Sequence, residues 1–272
     1  YIMAKKEKII GKDAFEKYYS DLFGERWTDL KESFSLESDY YEFKMEGAAE
    51  YYFLDSASVL AASSLPLENA TDILELCAAP GGKTLILASR MNKDAALSSN
   101  ERSPERKHRL SNVVRNCLPP EISERVKTSC SDGATWCTRQ TECFDAILLD
   151  APCSSERHVF NDPKYLDVWT PSRVKTVASA EWALLSCAFR LLRCGGFLLY
   201  STCALARDEN DVMIERLLKK YKDAVEIVSF EPKVPDGHSE LIPEKTDYGF
   251  HVLSYNSSCA GPIYFCLVKK KN

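Results

Sequence analysis

Apolar and polar positions change their spacing several times along the chain, and the changes divide it. From Lys5 to about Leu67 the pattern is mixed, with helical spacing over Asp13 to Phe23 and over Asp55 to Ala62. Aromatic pairs punctuate it at Tyr18 and Tyr19, Tyr40 and Tyr41, and Tyr51 and Tyr52. This predicts a small N-terminal helical extension over residues 1–67, packed on the remainder of the chain. Beyond it, short apolar runs alternate with helical patterns. Strands are predicted at Asp72 to Leu76, Ala96 to Asn100, Val126 to Cys130, Phe144 to Asp150 and Gly196 to Ser201. Helices are predicted from Lys83 to Ser89, from Pro104 to Cys117, before Gly195, and from Glu209 to Tyr221. The long helix before Gly195 is the best bounded: Thr170 is placed to cap it, Pro171 suits its first turn, and Gly195 and Gly196 follow its last apolar residues. Apolar runs at Ala224 to Phe230 and Pro262 to Val268 add the final strands, with Glu231 to Tyr248 between them read as a polar, proline-bearing loop.

Interleaving of this kind over residues 68–272 predicts an α/β fold, a doubly wound, mostly parallel, Rossmann-like sheet. A barrel needs about eight such units. Ligands then gather at the carboxyl ends of the strands.

Composition narrows the class. With 272 residues, 45% of them apolar, the chain can bury a sizeable core and is neither disordered nor fibrous. Its net charge of -5 does not draw it to nucleic acid or lipid, so any polyanion must be held by a local patch. Arg102, Arg106, Lys107, His108 and Arg109 at one helix start, and Lys164, Arg173 and Lys175 near a later loop, are such patches or ordinary solvated faces. No apolar stretch is long enough to span a bilayer, and Tyr1 to Lys12 is charged rather than signal-like, so no membrane contact is expected. The eleven cysteines lack framework spacing, and Cys187 sits among Leu184, Leu185, Ala188 and Phe189. They read as reduced thiols in a cytoplasmic setting, or a mitochondrial one if a targeting segment preceding Met3 was removed.

Four motifs carry candidate chemistry. Leu76 to Thr84, LCAAPGGKT, takes a strand through a small-residue turn into a helix, so that a ligand can approach the backbone closely. Asn100-Glu101 ends the second strand, where a carboxylate can accept from both hydroxyls of a ribose, and Asp132-Gly133 ends the third, where it can meet an adenine or equally form a plain turn. Ala146 to Cys153 is a buried strand delivering Asp150 and Cys153 to the sheet edge, and Tyr200 to Cys203 delivers a second thiol at the next strand. A single cysteine is ordinarily an inert small hydrophobe, but two at successive strand ends ask for a reason. Neither lies at zinc-ligand spacing, so no metal site is expected. Arg157 and His158 follow the first thiol and are placed to line the same cleft.

Together LCAAPGGKT, Asn100-Glu101, DAPCSSERH and YSTC resemble the Sun-family (Fmu-type) RNA cytosine carbon-5 methyltransferases, over roughly Tyr51 to the C-terminus. The pattern Tyr51-Tyr52-x-x-Asp55-x-Ala57-Ser58 is similar to the family's rRNA-modifying members. The resemblance implies a class I S-adenosyl-L-methionine-dependent fold of seven strands, the last antiparallel, and a role in rRNA processing with 5-methylcytosine as product. By the same resemblance Cys77, Ala78, Ala79, Pro80, Gly81 and Gly82 cradle the methionine part of the cofactor, Glu101 and Arg106 hold its ribose end, and Asp132 with Gly133 reach its adenine. Cys203 is then the nucleophile that adds to carbon 6 of cytosine, and Cys153 the thiol that helps release product. Asp150 bonds the ring-nitrogen side of the base, Lys83 positions or polarises it, and both also count among the cofactor's contacts. The target must be unpaired or flipped out. The implied partner is RNA, rRNA before tRNA; a protein partner supplying RNA specificity is expected because the N-terminal part shows no recognisable added RNA-binding domain.

Two other readings stay open on the residues alone. Gly82-Lys83-Thr84 with Leu149-Asp150 fits a P-loop-like NTPase, although Cys77 stands where the loop needs its first glycine. A catalytically silent RNA- or protein-binding module would keep the fold without turnover.

Overall fold

The computed structural model describes residues 10–271; residues 1–9 of the expected extension, with the charged start and Met3, and residue 272 lie outside the described residues. Helices α1 (Lys12–Phe23) and α2 (Arg26–Ser33) come first. Their inward residues Phe15, Tyr19, Trp27 and Leu30 pack with Phe34 and Trp169 into an aromatic cluster. Next, β1 (Tyr40–Phe43) and β2 (Tyr52–Asp55) pair antiparallel, Tyr40 opposite Asp55. Part of the expected helical extension is therefore a β-hairpin. Tyr41, Phe43, Tyr52 and Leu54 turn inward while Tyr40 and Phe53 are exposed, a period of two over only four residues per strand. Asp55 then caps α3 (Ser56–Ser63), its carboxylate accepting from the Ala57 and Ser58 amides.

The alternating region comes next: β3 (Asp72–Leu76), α4 (Gly82–Arg90), β4 (Ala96–Glu101), α5 (Pro104–Cys117), α6 (Pro120–Ser123), β5 (Val126–Cys130), β6 (Phe144–Asp150), α7 (Glu156–Asn161), α8 (Pro163–Leu166), α9 (Pro171–Leu191), β7 (Leu192–Thr202), α10 (Asp211–Tyr221), β8 (Val225–Ile227), β9 (Pro243–Lys245), β10 (Phe250–Val252) and β11 (Ile263–Lys270). The sheet runs β5-β4-β3-β6-β7-β11-β10-β9, with β8 also on β11. Strands β3 to β7 are parallel and β11 is antiparallel to β7. This is the expected doubly wound α/β sheet. Helices cover both faces, so neighbouring residues on one strand serve different cores: Ile73 packs with α3 and α4, and Leu74 and Leu76 with α9. Strand order reverses at β3, between β4 and β6, and the crevice at that point is where such sheets bind ligands.

Three further expectations are corrected. The sheet has nine strands where seven were expected, because the presumed polar loop Glu231 to Tyr248 contributes β9 and β10 comes directly after it. Strands of three residues are too short to show a period. Thr170 does not cap α9; its hydroxyl bonds Ser172 Oγ, and Pro171 occupies the first turn. Gly195 and Gly196 lie inside β7 instead of ending the helix. A Cβ on Gly196 would come within 2.7 Å of the Asp145 carbonyl oxygen, so glycine lets β7 approach β6 there. No helix among the described residues is long and apolar enough to cross a membrane.

Candidate active site

The turn after β3 begins at Cys77, which takes a left-handed φ of 61°. The Ala78 amide donates to the Asn100 carbonyl at 3.0 Å, fixing the turn to β4. Gly81, at φ 122°, is the one position of the turn where glycine is required twice over: a Cβ would also lie 3.0 Å from the Val113 side chain. Arg106, in the first turn of α5, donates to the Ala79 carbonyl at 2.6 Å and stands 3.5 Å from Glu101 Oε2. Glu101 is buried. Its Oε1 accepts from the Ser103 amide at 3.0 Å, while Oε2 has no hydrogen-bond donor. Asp132 accepts from the Ala134 amide, and a Cβ on Gly133 would meet Leu76 at 3.0 Å and Leu184 at 3.3 Å. Cys77, Glu101, Arg106, Asp132 and Gly133 line one hollow of about 600 Å³. Ala78 and Ala79 are buried in the turn, Pro80 is exposed, and Gly82 faces Tyr52 and Leu54 of the hairpin.

A second hollow of about 700 Å³ shares Cys77, Arg106 and Pro152 with the first and contains the thiols. Strands β6 and β7 run parallel with Asp150 opposite Ser201, so the segments leaving the two strand ends emerge at the same edge. Cys153 Sγ and Cys203 Sγ lie 2.9 Å apart. Asp150 is held from two sides: Lys83 Nζ is 2.8 Å from Oδ2, and the Ser201 hydroxyl donates to Oδ1 at 2.9 Å. Burial opposes the charge on Lys83, but the Asp150 carboxylate prevails and keeps its pKa above the ordinary lysine value.

The two thiols are not equivalent. The hydrogen bond from Cys153, aided by one from Ser155, overcomes burial and lowers the pKa of Cys203. The same bond, together with burial, lifts Cys153 well above the ordinary thiol range. Of the two, Cys203 is therefore the readier to ionise. Cys77 is pushed up to about 12, chiefly by burial, and stays a neutral thiol.

Lys83 and Thr84 do not make a phosphate and magnesium site. Lys83 is engaged by Asp150, and the Thr84 hydroxyl donates to the buried Glu75 at 2.6 Å, away from the hollow. Arg157 and His158 do line the thiol hollow. Arg157 donates to the Cys259 and Gly261 carbonyls at 2.6 and 2.8 Å and to the Leu36 carbonyl at 2.7 Å, clamping the C-terminal loop and the N-terminal part to the cleft. Lys164, Arg173 and Lys175 are not part of that lining.

Sequence reasoning missed Ser155, whose hydroxyl lies 3.2 Å from Cys203 Sγ. It also missed a shelf of buried carboxyls behind the thiol loop. Glu156 accepts from the Leu205 amide at 3.0 Å and from the hydroxyls of Tyr19 and Ser154; Glu209 accepts from the Ser154 amide at 2.7 Å; Glu181 lies buried beside them. Acids at unrelated spacings carry no signal in sequence, since a charged residue reads there as a surface position.

Residues 62–250 match the family model described as 16S rRNA methyltransferase RsmB/F. Over 214 residues the chain is 37% identical to Ribosomal RNA small subunit methyltransferase F of Escherichia coli O9:H4 (strain HS), covering 78% of this chain and 43% of that protein. The chain thus spans less than half the length of the curated relatives it matches. Among solved structures it is similar to a methyltransferase homolog protein from Pyrococcus horikoshii, with TM-score 0.70, 19% identity and 93% of each chain covered. It is also similar to NSun6 from Pyrococcus horikoshii with SFG, with TM-score 0.67, 21% identity, and 87% of this chain and 57% of that one covered. These two share its fold.

Proposed function

The chain belongs to the 16S rRNA methyltransferase RsmB/F family, and we propose that it transfers the methyl group of S-adenosyl-L-methionine to carbon 5 of a cytosine in RNA, rRNA in preference to tRNA. The observation that carries this reading is the meeting of Cys153 and Cys203, 2.9 Å apart, beside the hollow that holds Glu101. The residues fit that cofactor. Glu101 Oε2 is buried without a donor, which a ribose hydroxyl would supply. Gly133 keeps the hollow open where a Cβ would crowd Leu76 and Leu184. Cys77 and Arg106 border both hollows, joining the cofactor's place to the base's. When bound, the cofactor supplies an electrophilic sulfonium methyl group.

The protein's part begins with the Cys203 thiolate, which adds to carbon 6 of the flipped-out base and makes carbon 5 nucleophilic. Asp150, oriented by Lys83 and Ser201, hydrogen-bonds the nitrogen edge of the base and favours that addition. Loss of the carbon-5 proton to a base then restores the ring double bond as the bond from Cys203 to carbon 6 breaks. Cys153, adjacent to Cys203, assists this release. The chemistry needs reduced thiols, which supports a cytoplasmic setting. A protein partner that helps present the RNA belongs to the same proposal, supported by the exposed Leu36 and Tyr40 beside the cleft.

The test is calorimetric titration with S-adenosylmethionine, with ATP plus magnesium as control, followed by methyl transfer to rRNA and to tRNA. The expected result is binding of the former alone and cytosine methylation that disappears in Cys203→Ala. Methylation unchanged in Cys203→Ala would overturn the mechanism, and binding of cofactor and RNA without turnover would leave the silent module.

A further inference from the structure

Ser155 combines two local costs. It opens α7 in a left-handed conformation, φ 53° and ψ 60°, which disfavours a residue with a Cβ. It also stands at the helix N-cap, where a serine oxygen ordinarily accepts from an amide of the first turn, and makes no such bond. The hydroxyl lies instead 3.2 Å from Cys203 Sγ, 3.5 Å from Cys153 Sγ and 3.4 Å from the Cys153 carbonyl oxygen. A strained residue that forgoes its cap in order to face two thiols points to a role at those thiols.

Building on the proposed function, we propose that Ser155 is a positioning residue for the thiol pair: its O–H donates to Cys203 Sγ, holds that sulfur ready to attack, and leaves Cys153 as the protonated partner. The hydroxyl has one proton and three acceptors within reach, and a sulfur bearing negative charge is the strongest of them. The surroundings require such a donor. Asp150 on β6 and Glu156 on α7 place negative charge near Cys203, Glu181 on α9 faces it as a neutral acid, and its own partner Cys153 is a thiol. Of the cations lining the hollow, Lys83 acts on Cys203 through its charge but gives its hydrogen bond to Asp150, Arg157 bonds backbone carbonyls, and Arg106 bonds Ala79 and pairs with Glu101; His158 lies against the Tyr165 ring. Short neutral donors, Cys153 and Ser155, are what touches the Cys203 sulfur.

Ser155→Gly separates structure from chemistry, because it removes the hydroxyl while relieving the left-handed strain. The readout is the rate of Cys203 alkylation by iodoacetamide against pH, located by peptide mass spectrometry, on the full chain without RNA or cofactor. In Ser155→Gly the alkylation midpoint for Cys203 is expected to rise by about one pH unit, with roughly tenfold slower labelling near pH 7 and no loss of thermal stability. The pH profile of methyl transfer should move the same way. Superimposable alkylation profiles for the two proteins would overturn the proposal. A shifted profile in a protein that methylates no RNA would uphold the assignment of Ser155 while overturning the function it was meant to serve.

Discussion

Lys83 Nζ lies 2.8 Å from Asp150 Oδ2 across 67 positions of sequence, tying the first turn of α4 to the end of β6. The pair fixes one oxygen of Asp150 while Ser201 holds the other, so the carboxylate has a set direction at the floor of the thiol hollow. Lys83→Met leaves that charge with a single hydroxyl partner and frees the side chain to turn. Methyl transfer is expected to fall by roughly 10²-fold, the scale seen when one preorganised polar partner is removed from a site. Single-turnover rates at saturating cofactor and RNA measure it, and a rate within about threefold of wild type would contradict the assignment.

The asymmetry of the thiols makes a qualitative prediction. On the proposed mechanism Cys203→Ala lacks the nucleophile and is expected to form no covalent complex with RNA. On the same proposal Cys153→Ala keeps the nucleophile but lacks the thiol proposed to assist release, so a covalent RNA adduct should accumulate on a denaturing gel while turnover drops by at least about 10²-fold. An adduct formed by Cys203→Ala and not by Cys153→Ala would exchange the two roles.

Glu101→Gln tests the proposed cofactor contact apart from the fold. The amide oxygen can still accept from the Ser103 amide, but the negative charge near Oε2 is gone. A hydrogen bond to a charged acceptor contributes about 1.5–3 kcal/mol, so the Kd for S-adenosylmethionine should rise roughly 10- to 100-fold with little change in melting temperature. Unchanged affinity by calorimetry would remove Glu101 from the cofactor site.

The buried carboxyl shelf predicts a pH dependence of stability. Burial, reinforced by Glu209 and Glu156, pushes Glu181 up to about 11, so it is protonated in the folded protein at neutral pH. Both of its oxygens, and Oε1 of Glu209, lack a protein donor, and the proton on Glu181 supplies one between them. A carboxyl whose pKa is raised by folding contributes its full stability below its unfolded value near 4.5 and loses it as pH rises toward the folded value. Glu181→Gln keeps a donor toward Glu209 without that loss. It should stabilise the protein by roughly 1–2 kcal/mol at pH 8 and by close to zero at pH 5, read as the difference in denaturant midpoints. A larger gain at pH 5 than at pH 8 would reverse the assignment.

Much of this molecule is legible in one dimension. β3, α5, β5 and β6 begin and end where the spacing of apolar residues and turn formers puts them, because each is decided by contacts along its own length. The small-residue turn before Lys83, the acid at Glu101 and the two strand-end cysteines are likewise sequence facts. The hairpin β1–β2 and the strands β9 and β10 are not, since strands of three or four residues are stabilised by their partners and show too little period to be read alone. Nor could the sequence bring Cys153 to Cys203, 50 positions away: that meeting results from β6 and β7 lying side by side with Asp150 opposite Ser201. The chain itself determined which groups the site has available. Only the tertiary structure decided which sulfur ionises more readily, because that depends on contacts of about 3 Å to Cys153 and Ser155, set by elements far apart in sequence.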